Sequence, residues 1–275
     1  MPGTHHSGPI VSRRGFRIGT KEANTEVISN DLELRNIVSI EAGEMSVKEI
    51  KNRGHFYIFD DFLYQTLVEA DTPWILNEGT DGSAADPVVN AQSFGVARFV
   101  GGGGDGSIAQ DASQMVCHIP MKLEDVGTLV VEARLKFVTG ITNGRLFVGL
   151  TDTTNREIPF SIATATVTSV ATDAAGLLYD DGATAKTWHA LSVANDVDSA
   201  QNVNTAIAPA ITYQTLRIEA EEGEVRCFID GVLVQTITNN TPRINQDLHA
   251  TVCLSTTGTT RSMDLDYLYV GHERE

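Results

Sequence analysis

The sequence predicts an all-β protein, an antiparallel β-sandwich preceded by an extended N-terminal β-arm. Three observations predict it. Apolar and polar residues alternate with a period of two over several segments, which is the pattern of a strand with one face in water. Turn residues separate these segments, and helix signals are nearly absent. Strands that follow one another without intervening helices favour antiparallel pairing over a parallel α/β sheet.

Residues 1–54 are predicted to form an arm rather than a domain. Residues 7–20 and 25–40 are short alternating pieces broken by Gly, Asn and Asp, and they are too short to bury a core of their own. Such pieces need a partner surface, either another chain or the body. We therefore place one sandwich domain over residues 55–275 and assign docking and self-association to the arm.

The body contains the clearest strand patterns. Leu129–Phe137 alternates strictly, whereas Arg145–Leu150 is apolar on both faces and predicts a central strand. Asp230-Gly231 between two alternating runs is a strong hairpin signal, because both central residues of that turn need positive φ. The last strand, over Met263–Val270, is predicted to place one set of side chains on one face and a second set on the other: Leu265, Tyr267 and Tyr269 against Asp264, Asp266 and Leu268.

Between these strands the composition predicts long loops. Four segments are rich in Gly, Asp, Ala and Thr, which favour turns and irregular structure. They are Asn77–Asn90, Gly101–Ser113, Ala163–Lys186 and Asn195–Pro209.

The charge balance excludes two classes of partner. The 275 residues include 36 acidic and 20 basic side chains, and the formal net charge is −16. Because such a chain repels phosphate backbones and anionic lipid, we expect neither nucleic acid nor membrane as a partner. Arg13, Arg14 and Arg17 stand in an N-terminal stretch without an acid, and a basic arm on an acidic body suits docking.

The cysteines and the apolar runs bear on the cellular compartment. No run is long enough to span a membrane and no signal-peptide core is present, so we expect synthesis in a cytoplasm. Cys117, Cys227 and Cys253 are odd in number and lack any CxxC spacing, which favours neither a disulfide framework nor a zinc site. We expect them to be small core residues.

Several segments of the body resemble the concanavalin A-like lectin/glucanase sandwich (jelly roll) as it occurs in structural proteins of tailed bacteriophages. The matching segments are FYIFDDFL at Phe56–Leu63, RLFVGLTD at Arg145–Asp152, LYDDGATAKTWHAL at Leu178–Leu191, YQTLRIEAEEGEVRCFIDGVLV at Tyr213–Val234 and LDYLYVG at Leu265–Gly271. The resemblance covers the chain from about residue 56 and implies the fold more specifically than any activity.

The arm has a resemblance of its own. SGPIVSRRGFRIGT and TEVISNDLELRNIVSI are similar to the N-terminal attachment segments of phage head-decoration and fibre proteins, which form intertwined trimers. This implies a virion protein on the phage head surface, made in the host cytoplasm, with the major capsid protein and itself, as a homotrimer, for partners. The docking residues would be Arg13, Arg14, Phe16, Arg17 and Ile18.

Three functions follow as expectations. The first is a capsid decoration (cement) protein that stabilises the assembled shell by binding it. The second is a carbohydrate-binding head or tail fibre module that contacts a host glycan. The third, a glycan-cleaving enzyme, is disfavoured, and we expect no enzymatic activity.

That last expectation depends on the carboxylates. Retaining hydrolysis needs a nucleophile and an acid/base about 5 Å apart, which the glucanase branch places on one strand as E-x-D-x-x-E. The nearest segment is Glu69-Ala-Asp71-Thr-Pro-Trp74, in which Trp74 replaces the second glutamate. We therefore predict no catalytic residue, and we predict Trp74, at a loop edge, as an exposed platform for a sugar ring. Trp188 is predicted to lie in the core.

A bound metal has weak candidates. Asp180, Asp181, Asp196 and Asp198 offer clustered oxygen atoms that suit calcium, but they do not fit the twelve-residue calcium loop and ordinary loop polarity explains them equally. His118 and His189 have no metal-binding spacing and are predicted to be structural. We predict no cofactor.

Overall fold

The computed structural model describes residues 17–18, 25–26, 55–63, 67, 69, 72–79, 85–89, 95–103, 111–138, 140–198 and 203–273. The chain separates into two units, Met1–His55 and Phe56–Glu275. In the first unit, the backbone of β1 (Arg17–Ile18) pairs with that of β2 (Thr25–Glu26). The side chains of Arg13, Arg14, Phe16, Arg17 and Ile18 lie outside the described residues, so their docking role stays a prediction.

In the described part of the second unit, the regular secondary structure is almost wholly strand. In chain order they are β3 (His55–Asp60), β4 (Trp74–Glu78), β5 (Ala85–Val89), β6 (Ala97–Gly101), β7 (Ala112–Cys117), β8 (Leu129–Phe137), β9 (Gly144–Thr151), β10 (Phe160–Ala163), β11 (Thr166–Ser169), β12 (Ala174–Asp180), β13 (Trp188–Ala194), β14 (Val197–Asp198), β15 (Val203–Asn204), β16 (Gln214–Glu221), β17 (Glu224–Ile229), β18 (Val232–Ile237), β19 (His249–Thr256) and β20 (Arg261–Glu273).

Two antiparallel sheets of eight strands form a sandwich. The first has the order β18-β17-β16-β8-β20-β6-β5, with β3 also pairing with β20, and we call it the alternating sheet. The second has the order β14-β13-β12-β9-β19-β7-β4, with β15 also pairing with β13, and we call it the covered sheet. The predicted fold class, an all-β antiparallel sandwich, is confirmed.

Side-chain alternation explains the first sheet. Along β8 every second residue is buried, from Leu129 to Phe137, and the residues between them face outward. The inward row packs against side chains of the covered sheet such as Leu146, Val148 and Leu150 in one large core. At about 25 cal/mol per Å² of buried apolar surface, this core is the main source of stability.

The covered sheet is buried on both faces. β7, β12 and β19 consist entirely of buried residues. Its second face packs Phe147, Leu178 and Cys253 against Phe160 and Ile162 of the β10–β11 hairpin. Since β9 lies between β12 and β19, the apolar run over Arg145–Leu150 is a central strand, as predicted.

The predicted loops were wrong in several places. Strands β5, β11, β12, β14 and β15 lie within segments assigned to loops from composition. The reason is that small residues are required where a second layer lies over the sheet. Gly176 faces Gly149 across the β12–β9 pair, and the ring of Phe147 lies against the Cα atoms of this pair.

The predicted grouping of Leu265, Tyr267 and Tyr269 on one face of the last strand was wrong. A register shift between Leu265 and Tyr267 marks a β-bulge in β20 where it pairs with β8. Beyond the bulge Leu268 and Val270 are fully buried, whereas Tyr267 and Tyr269 are partly exposed. The bulge adds one residue and so reverses the alternation, which places the two tyrosines on the opposite face from Leu265.

The three cysteines are buried free thiols, as predicted. Burial raises the pKa of Cys117, and it raises the pKa of Cys227 to about 12. In the part of the chain that the structure describes, we find no helical segment whose length and hydropathy would allow it to cross a bilayer.

The glycine pair gives the first testable prediction. In Gly176→Ala, the new methyl group would overlap with the carbonyl oxygen of Val148 and the ring of Phe147. We expect the free energy of unfolding, measured by urea denaturation, to fall by about 1–3 kcal/mol, which is the usual cost of overpacking. Gly223→Asn is the control, because nothing lies near Gly223 and asparagine tolerates its positive φ. Equal losses in both variants would contradict the steric explanation.

Candidate functional site

An aromatic surface lies on the outward face of the alternating sheet. It consists of Tyr57 and Phe59 from β3, Tyr267 and Tyr269 from β20, and Tyr213 just before β16. Tyr57 and Phe59 are each 54% exposed. Exposed aromatic side chains of this size, clustered on one face, are typical of binding surfaces.

The rings form two contacting pairs, one stacked and one tilted. The centroids of Tyr57 and Tyr269 are 6.4 Å apart with an interplanar angle of 20°, and those of Phe59 and Tyr267 are 5.5 Å apart with an angle of 36°. Each pair joins one residue of β3 to one of β20. The bulge in β20 is the local feature that turns both tyrosines toward β3's exposed rings.

Gly271 makes room for one of these rings. A Cβ atom at position 271 would overlap with the hydroxyl group of Tyr269. Glycine at position 271 therefore leaves room for the Tyr269 ring to lie along the strand.

Polar groups stand beside the rings. The hydroxyl of Tyr267 donates a hydrogen bond of 2.7 Å to Glu132, and Arg217 donates to the same carboxylate at 3.4 Å. Arg134 forms an ion pair with Asp266. Burial, with the Glu132 contact, raises the pKa of Tyr267 to about 12, so this phenol stays protonated at neutral pH. The surface therefore presents fixed donors and acceptors next to apolar faces.

Tyr213 packs against two cations. The guanidinium of Arg134 and the ammonium of Lys136 lie 4.5 and 4.6 Å from its ring centroid. Burial raises the pKa of Tyr213, and the carboxylates of Asp266 and Asp264 add to this effect. Cation–π contacts on one ring fix the ring's position.

The remainder of the outward face is a ladder of charges. Arg98 pairs with Asp264 at 2.7 Å, Arg217 with Glu219 at 2.6 Å, and Arg226 with Glu219 at 3.2 Å. Because each of these cations meets a carboxylate, this part of the face is electrically balanced. The aromatic surface is thus bordered on the β8 side by paired charges.

A small pocket lies at one end of the covered sheet. Its volume is about 200 Å³, and its lining includes Arg145, Asp180, Asp181 and Ser255. The Asp180 carboxylate is fully engaged, accepting bonds of 2.8 Å each from Arg145 and from the backbone N–H groups of Ile162 and Gly182.

These contacts bear on the calcium candidates. Asp180 is bound by protein donors, and Asp181 pairs with Lys186 at 3.3 Å. Asp196 occupies a turn at positive φ, and the side chain of Asp198 lies outside the described residues. Within the described ranges, no three His, Cys, Asp or Glu side chains form a group that could hold a metal ion. The structure therefore does not bring Asp180, Asp181 and Asp196 together as a site, and Asp198 stays a prediction.

A second polar cluster lies on the covered sheet around Gln114. Its amide donates to the carbonyl of Glu157 and to Thr251, both at 3.1 Å, while Thr151 donates to the Glu157 carboxylate at 3.1 Å. Burial raises the pKa of Glu157; the Thr151 hydrogen bond opposes this, and the negative charge of Asp152 adds to it.

The prediction for Trp74 was wrong. Its side chain is 1% exposed, and its indole Nε1 donates a 2.6 Å hydrogen bond to the buried carboxylate of Asp60. A buried ring cannot stack on a sugar. Trp188 is fully buried, as predicted. His189 is buried with Nε2 3.1 Å from the carbonyl oxygen of Ala185, whereas His118 is exposed.

Sequence reasoning missed the aromatic surface. Its signal was present, since aromatic residues alternate at Tyr57 and Phe59 and again at Tyr267 and Tyr269. Assigning all four to one outward face required two facts that the pattern does not contain, the bulge in β20 and the pairing of β3 with β20.

The fold is shared with glycan-directed proteins. An endo-acting O-glycanase from the human gut microbiota matches 79% of this chain and 99% of its own, at 11% identity and a TM-score of 0.56. A β-glucanase of Bacillus licheniformis matches 79% and 97%, at 15% identity and a TM-score of 0.52. LamA from Z. galactanivorans, in complex with laminaritriose and laminaritetraose, matches 78% and 98%, at 14% identity and a TM-score of 0.53.

No family model matches the sequence, and no curated protein matches it significantly. The structural similarities establish the fold, a concanavalin A-like jelly roll. They also correct the expectation of no enzymatic activity, because proteins that share this fold are glycosidases. The phage, capsid and trimer assignments stay predictions.

Trp74 leads to the second prediction. Trp74→Phe keeps an aromatic ring in the core but removes the donor to Asp60, leaving a buried carboxylate oxygen with one hydrogen bond fewer. We expect a loss of about 1–3 kcal/mol in unfolding free energy by urea titration. Trp188→Phe, which removes a longer bond of 3.3 Å to the neutral Gln214, is the comparison and should lose less. An unchanged Trp74→Phe stability would refute the role assigned to this bond.

Glu157 leads to the third prediction. Its raised pKa means that the folded state holds this proton more tightly than the unfolded state. The stabilisation that protonated Glu157 gives to the folded state is fully present below the ordinary pKa of glutamate. It is lost as the pH rises through the raised pKa that Glu157 has in the folded state. We therefore expect wild type to lose stability relative to Glu157→Gln over that window. Unfolding titrations at a series of pH values test this, and parallel profiles would count against it.

Proposed function

We propose that this protein binds carbohydrate through the aromatic surface of its alternating sheet. The observation that carries the proposal is the pair of half-exposed rings, Tyr57 stacked on Tyr269 and Phe59 in tilted contact with Tyr267 of β20. These contacts hold the two rings in place before a ligand arrives. Preorganised rings lose little conformational freedom on binding, which favours affinity.

The chemistry of the surface suits sugars. A pyranose presents an apolar face of C–H groups and an edge of hydroxyl groups, so it needs a flat aromatic ring with polar groups at its side. Glu132 and Arg134 stand beside Tyr267 and supply an acceptor and donors. The shared fold with glycanases supports the same conclusion at the level of architecture.

The charge favours a neutral ligand. The chain has a net charge of −16, and the arginines nearest the rings are already paired with Asp266 and Glu132. An anionic glycan would meet an unfavourable overall field without an unpaired cation in this group to bind it. We therefore infer a neutral glycan. The capsid-decoration hypothesis, which depends on residues 1–54, stays a separate prediction.

The fourth prediction tests the surface directly. The full chain is applied to an array of neutral and acidic glycans that includes laminaritetraose, mixed-linkage β-glucan oligosaccharides and mucin O-glycans. The Tyr57→Ala/Phe59→Ala double variant is expected to lose at least about tenfold in affinity for each glycan that binds, since both stacking faces are removed. Isothermal titration then measures the loss.

Leu233→Ala is the matched control, because Leu233 is 49% exposed on the distant edge strand β18 of the same sheet. It should bind as wild type does. Binding by the double variant at wild-type affinity, or no binding by wild type to any glycan, would overturn the proposal. Each bound glycan is also assayed for new reducing ends, which tests for cleavage.

A further inference from the structure

The aromatic surface is a strip that runs along the strands. Tyr57 and Phe59 are two residues apart on β3, as are Tyr267 and Tyr269 on β20. At about 3.3–3.4 Å per residue, the two ring pairs are centred about 7 Å apart along the strand direction. This spacing is somewhat longer than the rise of one unit in an extended hexose chain. The strip therefore offers successive platforms rather than one.

One more exposed apolar side chain follows the two pairs in the sequence. Leu63 comes three residues after the end of β3, beyond Phe62, whose φ of +53° does not continue an extended strand. Leu63 is 66% exposed, which makes it one of the most exposed large apolar side chains in the described part of the molecule. The two ring pairs by themselves require an extended ligand, because their centres lie about 7 Å apart along the strands.

The strip has a charged border on one side. Across the sheet from Tyr269 the register gives Glu132 and then Arg217, and across from Tyr267 it gives Arg134. These side chains are paired with each other or with Asp266, so a ligand lying across the strands would have to desolvate ion pairs. A ligand lying along the strands instead covers apolar rings and contacts the charges only with its edge.

We infer that the strip binds an internal segment of a linear neutral glycan, aligned with β3 and β20 and at least three sugar units long. This inference rests on the proposed carbohydrate-binding function and adds the ligand's length, orientation and lack of charge. Internal units make the contacts, because the polar groups of the described strip lie at its side, across the sheet on β8.

Chain length is the variable that tests it. Isothermal titration with glucose and with β-1,3-linked and mixed-linkage β-1,3-1,4 gluco-oligosaccharides of two to six units should give affinities that rise at least about tenfold between one and three units. Affinity should change little beyond four units. Reduction of the terminal sugar to its alditol in the hexasaccharides should leave affinity unchanged, because internal units make the contacts.

Single variants locate the ligand on the strip. Tyr57→Ala and Phe59→Ala should each shift the length at which affinity levels off, whereas Leu233→Ala should give the wild-type profile. Affinity that does not depend on length, or that falls when the terminal sugar is reduced, would overturn the inference and leave carbohydrate binding intact. The same holds if only branched or acidic glycans bind on the array. Failure of every glycan to bind would overturn both.

Discussion

The alternation of side chains along β20 is the constraint on which the rest of this structure depends. This strand is the longest of the described part and pairs with β3, β6 and β8. One inserted residue near Asp266 decides which of its side chains enter the core. Without the bulge, Leu268 and Val270 would face water and two tyrosines would have to be buried in the sandwich. The core and the aromatic surface are therefore set by the same local irregularity.

The two sheets divide their roles because only one has a free face. The covered sheet is enclosed by the β10–β11 hairpin, and its Gly149–Gly176 pair allows the close packing that this enclosure needs. The alternating sheet keeps its outward face in solvent, where charges pair with one another and rings pair with rings. A broad binding surface is therefore offered by the alternating sheet, while the covered sheet offers a pocket at its end.

Much of this architecture could be predicted from the sequence, and particular residues show where prediction stopped. The strict alternation of Leu129–Phe137 and the Asp230-Gly231 turn specified strands and pairing locally. β12 was missed because its alanines and its glycine resemble loop composition. They are small because the β10–β11 hairpin and the ring of Phe147 pack against this sheet. Trp74 was misjudged because its partner, Asp60, is fourteen residues away and local polarity says nothing of a buried indole–carboxylate bond. The face of the sheet on which Tyr267 and Tyr269 lie could not be predicted from an ideal period of two, because the bulge reverses the alternation.

The buried thiols have a consequence of their own. Cys117, Cys227 and Cys253 lie in separate strands, β7, β17 and β19, and none has contact with solvent. Since the thiolate is the reactive form, a buried thiol with a raised pKa is unreactive while the sandwich is folded. Alkylation of each cysteine can then proceed only through opening of the strand that holds it. The alkylation rate of each cysteine in the native chain therefore reports how often the strand that holds it opens.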